Sequence, residues 1–516
     1  MKNFYQEGPS LTNTFESDEI LKKFLTKVLP PDCQREALPH LAHLGQRAVT
    51  DMLDWAQEAE AQPPVHVPFD PWGRRIDDIK VSNGWKQLEK VAAEEGIVAT
   101  AYERRFGAFS RVYQMALLYI YSPSSAIFSC PLAMTDGAAR ALELYGTPEL
   151  KTRGMSHLLS KDSTSFWTAG QWMTERTGGS DVSGTSTDAH PYQGQSSFGA
   201  THTLHGTKWF TSATTSQMAL TLARPAGAPA GSRGLSLFYL ELRNNQGQLN
   251  NIQIHRLKDK LGTKALPTAE LSLQGTPARM MGGEGEGVKR IASVLNITRI
   301  YNSMCAVGHM RRALDLAQSY SKKRTAFGKL LIDHPLHRET LRWLEEDFRH
   351  SFAFSFLVAH LLGKEEVGEI SAAERTLLRT LTPVLKLYTA KKAMIVSSEV
   401  VEIFGGAGYV EDTGLPRLVR DGQVFSIWEG TTNVLALDML RAFEKEQSLP
   451  VVMEYLKNSP AAKANQPKFM AKWTVFQELV NKLNGNSPET WESNARQLAL
   501  SLGDVMGEAA VYNFEL

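Results

Sequence analysis

A change of hydrophobic rhythm, followed by a change back, constrains this chain more than any other feature. Over residues 85–159 apolar side chains recur at helical spacing, as in Trp85, Leu88 and Val91 and again in Ala138, Ala141, Leu142 and Tyr145. Over residues 188–277 the period falls to two, in the runs 202–205, 219–222, 235–240, 252–254 and 271–273, each bounded by Gly, Pro or Asn. Over residues 287–446 long helical patterns return, and 294–316, 337–362 and 377–401 are each long enough to supply one bundle element. Period two lines one face of a strand and period 3.6 one stripe of a helix. The chain therefore reads as α+β: a helical domain, a middle antiparallel β domain, a helical bundle and a further helical tail. The expected boundaries are 1–60 for an N-terminal extension, 61–165, 166–284, 285–446, and 447–516 for a C-terminal extension. The Pro-, Ala- and Gly-rich stretch 224–234 reads as a hairpin or surface loop inside the β domain.

At 516 residues the chain has room for roughly three or four units of about 150 residues. A net charge of +1 gives the whole-protein field no pull on nucleic acid or an anionic membrane, so an anionic ligand must be held by local groups. Cys33, Cys130 and Cys305 lie too far apart in sequence for a disulfide framework or close-paired metal ligation. They read as reduced, buried small hydrophobes, and no metal site is expected. Residues 1–19 carry one lysine, no arginine and several acids, which fits neither a signal nor a transit peptide, so a cytoplasmic location is expected. The longest apolar stretch, 115–134, is broken by Ser122-Pro123-Ser124-Ser125 and Pro131, which suits two buried helices rather than a transmembrane span.

Five motifs carry possible chemistry. Ser426-Ile427-Trp428-Glu429-Gly430-Thr431-Thr432-Asn433 puts one carboxylate on a turn before an apolar helix pattern. Walled by Trp428, such a carboxylate loses solvation and becomes a base able to take a proton from carbon; otherwise it is an acid steadied by a helix N-terminus. Gln171-Trp172-Met173-Thr174-Glu175-Arg176-Thr177-Gly178-Gly179-Ser180-Asp181 is either a backbone nest for pyrophosphate or a capped Gly-Gly turn. In Lys208-Trp209-Phe210-Thr211-Ser212, strict alternation sends Trp209 and Thr211 to one face, as a flat heteroaromatic ring requires and as ordinary core packing also does. Arg324-Thr325-Ala326-Phe327-Gly328-Lys329, with His334 following, offers a guanidinium for phosphate or for a helix C-terminus. The cluster Ile403-Phe404-Gly405-Gly406-Ala407-Gly408-Tyr409 admits a phosphate or caps a helix.

In this order across an α-β-α chain, these motifs resemble the acyl-CoA dehydrogenase family of flavoproteins over residues 85–443. Within it the chain looks closest to the AidB-type branch, on Pro71-Trp72-Gly73-Arg74-Arg75-Ile76-Asp77-Asp78, on Arg256-Leu257-Lys258-Asp259-Lys260-Leu261-Gly262, on Trp428 where Tyr is commoner, and on the long terminal extensions. The resemblance implies FAD as cofactor and a fatty acyl-CoA of medium to long chain as substrate. Glu429 takes the place of the base that removes the α-proton as hydride leaves the β-carbon, giving a trans-2-enoyl-CoA. Arg299, Asn296, Ser180 and Gly430 fall on the substrate side. Gln171, Met173, Thr174, Gly179, Ser180, Trp209, Phe210 and Thr211 fall around the flavin and its pyrophosphate. Thr431 and Asn433 stand beside the base and also touch FAD. Arg324, His334, Glu402, Gly405 and Gly406 match positions that reach the adenosine half of a neighbouring subunit's FAD, which implies a homotetramer built as a dimer of dimers. Electrons would pass to an electron-accepting flavoprotein.

Three positions depart from the family pattern. Pro335 and Glu402 stand where many members have glutamine, and Arg176-Thr177 replaces a more usual Pro-Gly. Two other functions compete with the dehydrogenase. One is a flavin-bearing protein that binds and sequesters acyl-CoA in lipid regulation; retention of Glu429 argues against it. The other is a nucleic-acid-associated stress protein of the AidB kind; the near-neutral tail after Pro450 argues against that, because duplex binding needs clustered Lys and Arg.

Overall fold

The computed structural model describes residues 6–516, so Met1–Tyr5 of the N-terminal reading lie outside the described residues. The chain divides into two compact units. One comprises Asp51–Tyr102 and Ser124–Thr298; the other comprises Met1–Thr50, Glu103–Pro123 and Arg299–Leu516.

The first unit is built on a seven-stranded sheet. Met218–Pro225 pairs antiparallel with Ser236–Glu241, that strand with Thr268–Met281, and that one with His202–Ser212. His202–Ser212 pairs antiparallel with Asp188–Pro191, which runs parallel to Met218–Pro225. The ladder thus closes on itself, which leaves few unpaired edges. Ala169–Trp172 adds in parallel to Met218–Pro225, and Ile252–Leu257 adds antiparallel to Thr268–Met281. Antiparallel pairing dominates as expected. The two parallel pairings bring the Gln171 strand and Asp188–Pro191 against one strand distant in sequence, Met218–Pro225, which alternation alone does not reveal. Alternating residues feed two cores: Leu220, Leu222, Leu237 and Tyr239 pack with Ala138, Ala141 and Leu142 of the helix Ser129–Tyr145. Leu204, Ala219, Phe238, Leu240 and Leu271 fill the other. The stretch after Pro225 is the expected loop, joining two antiparallel strands.

Also in this unit, Val65–Phe69 and Arg75–Lys80 form a hairpin whose tip carries Trp72, 93% exposed. Asp77 accepts from His66 Nε2 at 2.9 Å, Arg75 Nε at 2.8 Å and the Ile254 N–H at 3.1 Å. The hairpin motif and the strand leading into residues 256–262 are thereby joined through a buried carboxylate.

In the other unit three long helices, Gly287–Ser321 from Arg299 onward, Pro335–Glu366 and Ala372–Ile403, correspond to the three expected bundle elements. Ala372–Ile403 starts with a full capping box, Ser371 and Glu374 each satisfying the other's backbone N–H. The tail helix Pro488–Phe514 buries Leu498, Leu502, Val505 and Met506 and is part of the bundle core. Gly503 lies where an added Cβ would stand 2.4 Å from the Tyr388 ring, so the two helices approach as closely as glycine allows. Phe24, from the N-terminal helix Glu19–Val28, meets Phe352, Phe356 and Phe514 with ring centroids 5.6, 4.5 and 5.0 Å apart. Both terminal extensions are therefore packed into one aromatic cluster, each buried ring contributing about 1.5–3 kcal/mol.

The 115–134 stretch forms parts of two buried helices, Phe109–Tyr121 and Ser129–Tyr145. Among the described residues no helix is long and apolar enough to cross a membrane. Among the described residues Cys33 and Cys305 are buried thiols outside any disulfide, and Cys130, in the first turn of Ser129–Tyr145, is half-buried.

Candidate active site

Glu429 stands on the turn between the helix Pro416–Val424 and the helix Thr432–Lys445. It is half-buried and holds a left-handed backbone, φ 57°, as does Gly430 at φ 103°. A left-handed conformation costs a side-chain-bearing residue roughly 1–2 kcal/mol, so it persists only where surrounding bonds fix it. Those bonds are present. Arg299 Nε donates to the Glu429 carbonyl at 3.3 Å, and Lys386 Nζ donates to the Gly430 carbonyl at 2.6 Å. Asn302 donates to the Phe425 carbonyl at 3.2 Å and accepts from the Trp428 indole N–H. Trp428 is thus held in the turn by its polar end, as is usual for a partly buried indole.

Arg299 is not an ordinary exposed helix charge: its side chain is 12% exposed, and Nη1 bonds Asp438 Oδ2 at 2.7 Å. Arg379 takes the other Asp438 oxygen at 2.7 Å. Burial works against the Asp438 charge, but the two guanidiniums outweigh it and hold this carboxyl below the usual aspartate range. Lys386 is fully buried in the run Val384-Leu385-Lys386-Leu387. Burial brings its pKa down to about 7, with the Glu429 charge opposing the shift and Arg299 and Lys391 adding to it.

In the β-containing unit, the Trp209 N–H donates to the Thr174 carbonyl at 2.9 Å, which joins the second and third motifs. Gly179 lies against Thr174, where a Cβ would stand 2.4 Å from its hydroxyl. Glu175 accepts Lys208 Nζ at 2.9 Å and the backbone N–H groups of Ser186 and Thr187 at 2.7 and 3.2 Å. Burial opposes the Glu175 charge, and Lys208 with these donors outweighs it, taking the carboxyl down to about 2. Gln171 is half-buried, with its Oε1 buried and lacking a hydrogen-bond partner among the described residues. Met173 packs on the core beside the helix Ser129–Tyr145, and Ser180 is exposed.

The expected alternation of Trp209 and Thr211 does not survive. A bulge between Lys208 and Thr211 sets Lys208 opposite Leu271 and Thr211 opposite Ala269, so Lys208 and Thr211 share the buried side. The Thr211 hydroxyl donates to the Ala269 carbonyl at 2.9 Å. Trp209 is half-buried and Phe210 is half-exposed, with Lys258 Nζ 3.8 Å and 4.5 Å from their ring centres. The Arg176 guanidinium lies 5.3 Å from the Trp209 ring, giving it two cationic neighbours.

The remaining candidates are more dispersed. Arg324 is half-buried just after the end of Gly287–Ser321, and His334 bonds the Ala326 carbonyl at 3.0 Å. Gly405 and Gly406 follow the cap of Ala372–Ile403, as a capped helix end would have them, yet a Cβ on either would meet open space. Glu402 and Thr431 are exposed, as is Asn433, whose side chain accepts from Arg496 at 3.3 Å; Asn296 is half-buried in Gly287–Ser321. Glu346, His350 and Glu508 also converge, but Lys468 and Lys472 already bond Glu346 and Glu508 at 3.1 and 2.6 Å.

Sequence reasoning missed Lys386, Asp438, Arg379 and Asn302 around the base turn, and the Glu175–Lys208 pair beneath the Trp209 strand. One signal was readable: a lysine inside an otherwise apolar helix run, as at Lys386. The others are neighbours only in three dimensions.

Three regions of the chain match known domain families. Residues 8–163 match the adaptive response protein AidB N-terminal domain, 170–276 the acyl-CoA dehydrogenase middle domain and 285–443 the acyl-CoA dehydrogenase C-terminal domain. Acyl-CoA dehydrogenase family member 11 of Caenorhabditis elegans is 46% identical over 86% of this chain and 73% of its own length. The putative acyl-CoA dehydrogenase AidB of Escherichia coli is 33% identical over 79% of this chain and 74% of its own. Among solved structures, the Bd2924 apo-form is 72% identical with a TM-score of 0.96 and full coverage of both chains. The crystal structure of Caenorhabditis elegans ACDH-11 in complex with C11-CoA is 41% identical with a TM-score of 0.94, covering 100% of this chain and 89% of that one.

Proposed function

This chain belongs to the acyl-CoA dehydrogenase family, and from that premise we propose that it performs FAD-dependent α,β-dehydrogenation of a medium- to long-chain fatty acyl-CoA, with Glu429 as the base. The observation that carries the reading is the pinned turn: a half-buried carboxylate whose own carbonyl and the next are held by Arg299 and Lys386. A base fixed in place needs little reorganisation when it meets a weakly acidic carbon. The C11-CoA bound by ACDH-11 supports an acyl chain in this length range.

The residues present fit FAD. Gln171 offers a buried acceptor without a partner among the described residues, and Gly179 permits close backbone approach beside Thr174. When bound, FAD supplies a hydride acceptor at flavin N5. Glu429 takes the proton from the α-carbon as the β-carbon loses hydride, and the Cα–Cβ single bond becomes a trans double bond. The Glu429 backbone N–H polarises the thioester carbonyl, which acidifies the α-carbon. Asp438 steadies Arg299, and Arg299 steadies the turn. Trp428 limits water at the carboxylate. Phe327, Leu336 and Tyr409, 96%, 80% and 88% exposed, flank Arg324, His334 and Gly406 in sequence and support a homo-oligomer that covers them. Reoxidation falls to a separate flavoprotein acceptor.

The test is an anaerobic titration of the yellow protein with straight-chain acyl-CoAs from butanoyl-CoA to hexadecanoyl-CoA. Bleaching of the flavin by at least one of them is expected. Binding without bleaching across the series would overturn dehydrogenation in favour of capture, and a protein that takes up no FAD would overturn both.

A further inference from the structure

Two consecutive carbonyls of the base turn are held by two cations, and among the described residues only Arg299 of the two is in ion-pair contact with an acid. Arg299 is balanced by Asp438. Lys386 is fully buried, and its hydrogen bond goes to a neutral carbonyl, that of Gly430, at 2.6 Å. A lysine placed among Val384, Leu385 and Leu387 loses its hydration, a cost that a single carbonyl does not repay. A methionine would fill the same space without that cost. The charge that opposes this loss is that of Glu429, which works against the burial shift without cancelling it.

We propose that Lys386 is a positioning residue for the base: it clamps the Gly430 carbonyl and, as a cation, keeps the Glu429 side chain in its proton-accepting form. The proposal rests on the dehydrogenase reading for its catalytic consequence but not for the coupling of the two groups. The charges acting on Lys386 are Glu429 on the turn, Arg299 on Gly287–Ser321 and Lys391 on its own helix; Asp438 on Thr432–Lys445 bonds Arg299. With its pKa near 7, Lys386 gains or loses its charge across the neutral range. Below that point it is a full cation and favours ionised Glu429. Above it, the amine still donates a hydrogen bond but exerts no such pull.

Two measurements on the FAD-loaded protein test this. The first is the pH profile of flavin bleaching by C11-CoA. In Lys386→Met the acid limb should move to higher pH by about one unit, the size expected on removing a nearby opposite charge. Lys386→Arg, whose charge does not titrate, should restore the limb and abolish any inflection near neutrality. A uniform fall in rate with the limb unmoved would overturn the proposal, since a structural role alone predicts that. The second needs no turnover: the ε-carbon resonance of Lys386 in lysine-labelled protein, assigned by its loss in a Lys386 variant. It should titrate near neutrality in the wild type and at lower pH in Glu429→Gln, because the carboxylate is what raises it. Identical titrations in the two proteins would overturn the coupling. Absence of bleaching in the wild type would instead count against the dehydrogenase reading and leave this second measurement decisive.

Discussion

Asp438 holds Arg299 at 2.7 Å, and the same guanidinium donates to the carbonyl of Glu429 at 3.3 Å. An acid on the helix after the base turn thus fixes the base through an arginine on another helix. Asp438→Asn leaves the buried Arg299 guanidinium without its anion, while Arg379 keeps Glu446 at 3.2 Å, and should cost about 3 kcal/mol. Asp438 is lowered in the folded state, so its contribution is fully present above the unfolded aspartate value of about 3.9 and is lost as pH falls through the folded value. The stability difference between wild type and Asp438→Asn, read from denaturation curves, should be constant from pH 7 down to about 4 and shrink as pH falls further.

The Glu175–Lys208 pair underlies the strand that carries Trp209. Glu175→Gln leaves a fully buried ammonium unmatched and should cost about 3–5 kcal/mol, while the double variant Glu175→Gln, Lys208→Met should recover much of that. A double-mutant cycle by chemical denaturation checks it. With Glu175 depressed to about 2, the pair's contribution is present above about pH 4.3 and fades as pH falls toward 2.

Gly179 lies within reach of the Thr174 hydroxyl. Gly179→Val should push the loop from Thr174 and loosen FAD, seen as at least tenfold weaker retention of yellow colour on dialysis, with the far-ultraviolet circular dichroism unchanged.

Phe24 joins the N-terminal helix to rings of Pro335–Glu366 and the tail helix. Phe24→Ala should cost about 3–5 kcal/mol and lower the first thermal transition. An unchanged transition would mean that the extensions are accessory rather than part of the bundle.

The fold was legible where period and length agreed: residues 294–316, 337–362 and 377–401 lie inside helices, and the five alternating runs lie in or overlap strands. The parallel pairings of Ala169–Trp172 and Asp188–Pro191 were not legible, because pairing partners are set by the closed ladder and not by local rhythm. Around the base, Glu429 was readable from a local motif and Arg299 only through the family resemblance, whereas Asp438 and Arg379 resemble ordinary helix charges until packing brings them together. Trp209 and Thr211 show the opposite failure, since one bulge reverses the parity on which the alternation argument stands.

The account stands or falls on Glu429. Glu429→Gln, mixed anaerobically with C11-CoA, should retain its FAD spectrum while the bleaching rate falls about a thousandfold, the scale of a lost general base. Bleaching at close to the wild-type rate in a variant that still binds FAD would contradict it.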